Sequence, residues 1–159
     1  MKHFAVIAIF SFATALTVSA QEQPRHPSAS DPYVPDLSIV MTITQWRHFK
    51  LSYAVEVENW ELAKYEVLQV RDALAPAAKL YPVYEDVQQE KLIAEVSKPA
   101  LIAIDKAIQE KNRAAFKLSF SDLTQACNSC HQQAHLGFIN IRVPTKSPFS
   151  NQVFTPTKK

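Results

Sequence analysis

From Leu37 onward the chain repeats apolar residues at three- and four-residue steps, the period of helices that bury one face. The first run has Ile39 or Val40, Ile43, Trp46, Leu51, Ala54 and Val55 on its apolar side and predicts a helix over about 37–58. Asn59 is the expected N-cap of a second helix with Trp60, Ala63, Val67, Val70 and Leu74 inward. Pro76 must end or kink that helix, because proline has no amide hydrogen to donate. The pattern weakens over 81–96, where a short helical stretch begins near Glu85 and stops before Pro99. Ser97 is expected to cap a third long helix, with Pro99 in its first turn and Leu101, Ile104, Ala107 and Ile108 buried. After Asn112 a fourth helix carries Phe116, Phe120, Leu123, Cys127, Cys130 and His131 along its apolar side. The expected fold class is all-α, a bundle of four helices over residues 37–137.

The two ends of the chain do not follow this pattern. Residues 1–20 combine Lys2, an uncharged apolar run from Phe4 to Val18, and the small-residue ending Val18-Ser19-Ala20, which is the order of a cleaved secretory signal. The run is short for ~30 Å of hydrocarbon. No basic cluster follows it, so cleavage after Ala20 without stable membrane insertion is expected. Residues 21–36 contain four prolines and read as an extended leader. Residues 138–159 form an extended C-terminal tail, and Gly137 is expected to end the fourth helix in a left-handed cap.

Composition narrows the functional classes. Gly137 is the only glycine, which argues against tight hairpins and glycine-rich phosphate loops. The formal charge of +2 falls to +1 without Lys2, so no nucleic-acid surface is expected. No acid–base pair at motif spacing, Ser/His/Asp set or phosphate loop stands out, and Glu90, Lys91 and the charges of 105–111 read as solvated helix faces. An enzyme in its own right is therefore not expected.

Cys127-Asn128-Ser129-Cys130-His131 is the one strongly specific signal. C-x-x-C-H is the spacing for covalent c-type haem: two thioethers to the porphyrin and an adjacent imidazole as proximal iron ligand. Competing readings fit less well. A thioredoxin-type pair belongs at a helix N-terminus in a βαβ setting. Cys127, Cys130, His131 and His135 on one helix cannot surround a tetrahedral zinc ion. A helical i, i+3 pair is poorly placed for a disulfide. One covalent haem c with its iron is the expected cofactor. Its attachment outside the cytoplasm agrees with the export signal and places the protein in a bacterial periplasm, among periplasmic redox partner proteins.

The segment LTQACNSCH at 123–131 resembles that of the class II c-type cytochromes, the cytochromes c-prime and c-556. The resemblance covers roughly residues 37–136. The tail FINIRVPTKSPFSNQVFTP, with RHFKLSYA at 47–54 and NWELAKYE at 59–66, looks like a less characterised bacterial branch of that family. The resemblance implies an up-down-up-down bundle with the haem near one end, and in the related bundles the first and second helices often form a homodimer contact.

In such a bundle the first and fourth helices are antiparallel neighbours, so the start of one lies beside the end of the other. Met41, one turn into the first helix, is then the best-placed thioether for the sixth iron position, and the resemblance to c-556 proteins implies methionine ligation near there. Core filling by Met41 is the plain alternative. His48, flanked by Arg47 and Lys50, is a rival ligand, although it is expected at a surface or polar boundary toward the opposite end. An open iron is the third possibility. Ligation by Met41 suits electron transfer. An open site suits binding of nitric oxide or carbon monoxide, and a redox subunit of a periplasmic oxidoreductase is a further role. Arg142 is the first candidate to pair the haem propionates, with Arg47 and Lys50 behind it. Ile139, Ile141, Val143, Phe149 and Phe154 are expected to pack near the haem and exclude water.

Overall fold

The computed structural model describes residues 33–156, so the expected signal peptide and most of the leader lie outside the described residues. Asp36 opens α1 (Leu37–Glu56), its carboxylate accepting a hydrogen bond from Ser38 N–H at 2.8 Å. That satisfies one of the amides a helix start leaves unpaired. Next come α2 (Trp60–Leu80) and α3 (Gln89–Leu92), which runs through a π-helical segment, Ile93–Ser97, into α4 (Lys98–Gln109). The last helix is α5 (Arg113–Gln133). With α3, the π segment and α4 as one rod, four helices pack as an all-α bundle with antiparallel contacts.

The turns are built almost without glycine. At the end of α1, Glu58 N–H bonds Val55 O and Asn59 N–H bonds Ala54 O, with Glu58 at φ 57°. At the end of α4, Lys111 N–H bonds Ile108 O and Asn112 N–H bonds Ala107 O, with Lys111 at φ 51°. Both are Schellman caps with a left-handed residue where glycine is usual. Asn59 and Asn112 then start the next helix, their side chains accepting from Leu62 N–H at 3.1 Å and Ala115 N–H at 3.0 Å. The same cap closes α5, and here the expectation for Gly137 is corrected. His135 takes φ 58°, Leu136 N–H bonds His131 O at 2.7 Å, and Gly137 has no positive φ. Tyr84 and Val87 exchange two backbone bonds around Glu85-Asp86, a tight turn that the glycine-poor composition argued against, with Glu85 at φ 52°.

Two proline expectations also change. α2 continues past Pro76 to Leu80. The carbonyl four residues back belongs to Asp72 on the exposed side, where water can take the place of the missing N–H. Ser97 makes no side-chain cap; it is buried at the end of the π-helical segment. Lys98 N–H reaches back to Ile93 O, a one-residue shift of register placed directly before Pro99, which cannot donate.

Salt-bridged Arg113 and Glu56 join the start of α5 to the end of α1, and His48 meets Thr124 at mid-length. The two helices are thus antiparallel. Leu51, Val55, Val67, Ile104, Phe120 and Leu123 form the centre of the core. The first half of α1 is phased differently from its apolar pattern: Val40, Thr44 and His48 are buried, while Ile39, Ile43 and Trp46 are exposed.

Candidate functional site

The antiparallel pairing of α1 and α5 brings the end of α5 beside the start of α1, and there the bundle opens into a cavity of about 560 Å³. That is within the ~300–1,000 Å³ of cofactor-sized sites. Cys127, Cys130 and His131 from α5 and Met41 from α1 line this one cavity. Two further parts of its wall were not evident from the sequence. The tight turn contributes Tyr84 and Val87, and the rod behind it contributes Leu92, Ile93 and Ser97. The tail contributes Ile139 and Ile141, as its apolar pattern led one to expect.

The thiols are shifted away from what a redox pair needs. Burial pushes the Cys127 thiol up to about 11, reinforced by the neighbouring Cys130, and burial raises Cys130 as well. A disulfide exchanger needs the opposite shift, toward thiolate near neutral pH. Among the described residues, no group of three or more His, Cys, Asp or Glu side chains is placed to hold a metal ion.

His131 is held in one tautomer. Its Nδ1 lies 2.8 Å from Ile139 O, and since a carbonyl can only accept, Nδ1 carries a hydrogen, and in the neutral ring Nε2 keeps its lone pair. An imidazole whose far nitrogen donates to a backbone carbonyl is the usual arrangement for a histidine that ligates a metal. Asn128, inside the motif, bonds both backbone groups of Ile141: its Oδ1 accepts from Ile141 N–H at 2.7 Å and its Nδ2 donates to Ile141 O at 2.8 Å.

His48 is not at a surface. It is buried, lines the same cavity as Met41, and stacks on Phe120 with ring centroids 4.3 Å apart. The Thr124 hydroxyl gives its single hydrogen to Phe120 O at 2.8 Å, so at 3.0 Å from His48 Nε2 it must accept. His48 is thereby a neutral Nε2–H imidazole, and burial lowers its pKa to about 4. Ligation through Nε2 would first have to break that buried bond.

The cationic candidates diverge. Arg47 pairs with buried Glu66 at 3.3 Å, and Lys50 lies over the Phe149 ring at 5.0 Å. Arg142 is exposed, one residue beyond the cavity wall at Ile141. Three tail expectations are corrected. Val143 is exposed and lines no part of the cavity, and Phe149 lies beside Phe154, ring centroids 6.4 Å apart. Phe154 is buried against Tyr53, with its carbonyl accepting from Asn59 Nδ2 at 2.9 Å, and so sits beside the far end of α1 rather than at the cavity. Met41 and Tyr53 are separated by about 18 Å of helix at ~1.5 Å per residue.

No protein-family model matches the chain, and neither a curated protein nor a solved structure matches it.

Proposed function

We propose that this protein is a periplasmic mono-haem c-type cytochrome of the class II kind, working as an electron carrier in which His131 and Met41 would ligate the iron. The observation that carries the reading is the convergence of Cys127, Cys130, His131 and Met41 on one cofactor-sized, largely apolar cavity, with His131 already in the tautomer a ligand needs. Bound there, a haem would supply a one-electron iron couple. The chain's own residues do the rest. Cys127 and Cys130 would hold the group covalently, and His131 would offer Nε2. Met41 offers a thioether, a ligand that favours the reduced state. Leu92, Ile93, Ile139 and Ile141 keep water away, which also favours the less charged oxidation state. Arg142 is placed to meet a propionate that leaves the cavity.

Acid–acetone extraction should leave the pigment on the polypeptide, and Cys127→Ser should lose one thioether. Met41→Ala should abolish the thioether-to-iron absorption of the oxidised protein and open the site to carbon monoxide. A wild-type protein that is high-spin and binds carbon monoxide at once would replace the carrier by the gas-binding alternative. A pigment-free wild type would end both readings.

A further inference from the structure

Asn128 occupies a position for which the C-x-x-C-H spacing prescribes no residue type. Its carboxamide is nevertheless matched on both sides, donor and acceptor, to the two backbone groups of Ile141. That pairing imitates the edge of a β-strand and fixes the tail segment in both position and orientation. Two residues earlier, the same segment presents the Ile139 carbonyl to His131 Nδ1. Asn128 and His131 are three apart on α5, on neighbouring positions of one helix face. The segment has no regular secondary structure of its own; among the described residues, Ile139 N–H to Leu136 O, at 2.8 Å, is its one other backbone bond near the site.

We infer that Asn128 is a positioning residue for the proximal ligand. By clamping Ile141, it holds the Ile139 carbonyl on His131 Nδ1–H, which fixes the ring's tautomer and plane and strengthens Nε2 as a donor. The inference rests on the haem reading above. It gives the tail a role different from shielding: its backbone sets the electronic character of the ligand. The two roles have opposite signs. Losing a carbonyl acceptor on Nδ1 weakens the imidazole donor and raises the reduction potential. Admitting water stabilises the oxidised state and lowers it.

The test uses the full-length, haem-loaded protein with Asn128→Ala and Asn128→Leu. The second variant keeps nearly the volume of the carboxamide without its hydrogen bonds and leaves Ile141 in the cavity wall, so a misfolded Asn128→Ala protein does not end the experiment. Both variants should raise the reduction potential, and to the same extent, because both break the same clamp. In Asn128→Ala the Ile141 amide should exchange with deuterium at least tenfold faster. Unchanged exchange would refute the clamp. Faster exchange with an unaltered potential would show that the clamp holds the tail but not the ligand, and a fall in potential would assign the effect to water entry; either result overturns the inference. Failure of the haem reading shows separately, as a wild-type polypeptide without covalent pigment, and the amide-exchange comparison does not depend on it.

Discussion

At the scale of single residues, His48 ties the packing of the bundle to pH. Burial admits only the neutral ring, so its folded pKa is about 4, against ~6.5 in an unfolded chain. Between those values the unfolded chain binds a proton that the native state refuses. Stability contributed by His48 is therefore complete above about pH 6.5, falls as the pH drops toward 4, and levels off below it, a change of about 3 kcal/mol. Urea unfolding at pH 7 and pH 4.5 should show this loss in the wild type. In His48→Phe, which keeps the stacking on Phe120, most of the difference should vanish. An equal pH dependence in the two proteins would mean that other groups carry it.

The helix ends show how the elements manage with one glycine. Glu58, Lys111 and His135 each occupy the left-handed region, where a side chain costs about 1 kcal/mol or more relative to glycine. Lys111→Gly is therefore expected to raise stability by about 1 kcal/mol, measured by thermal or urea unfolding. Gly137→Ala should change it by less than about 0.5 kcal/mol: φ is not positive there, and an added Cβ would meet Gln132 Cγ at 3.6 Å, an ordinary contact. The opposite result for this pair would restore Gly137 as the capping residue. The Asn59 N-cap and the helix following Asn112 were legible in the sequence, because capping is a contact between residues two or three apart; that Asn112 caps α5 as well came from the structure. The left-handed residue after α5 was not. The composition offered a glycine nearby, whereas the register of the Schellman bonds put that conformation at His135.

Across the whole molecule, the tail divides into two parts with different work. Ile139 and Ile141 wall the cavity, while Phe154 is tied to Tyr53 and Asn59 beside the far end of α1. Deleting 147–159 should leave the haem spectrum and reduction potential unchanged and lower stability by about 2–3 kcal/mol, from the lost burial of Phe154 and its hydrogen bond. A shifted potential would return the distal tail to the haem. That so many apolar residues must pack somewhere was evident from the tail's composition. Which end of the bundle receives each of them depends on a chain path that no local pattern encodes.

Local chemistry and period were readable along the chain alone. The spacing of Cys127, Cys130 and His131, the helical repeat from Leu37 onward and the cap at Asn59 all depend on neighbours within one or two turns, and such contacts are written consecutively along the chain. Tertiary structure alone decided the phase of α1. Thr44 and His48 turn inward because they face Thr124, Phe120 and the cavity, so Ile39, Ile43 and Trp46 are left outside despite their apolar character. It also decided that Pro99 is accommodated by a π turn, that Tyr84 and Val87 complete the cavity wall, and that Asn128 meets the backbone of Ile141 while His131 meets the carbonyl of Ile139. The physical reason is common to all of these. Burial and hydrogen bonding reward whichever partner the fold brings near, and a partner from another helix leaves no periodic trace in the sequence of either one.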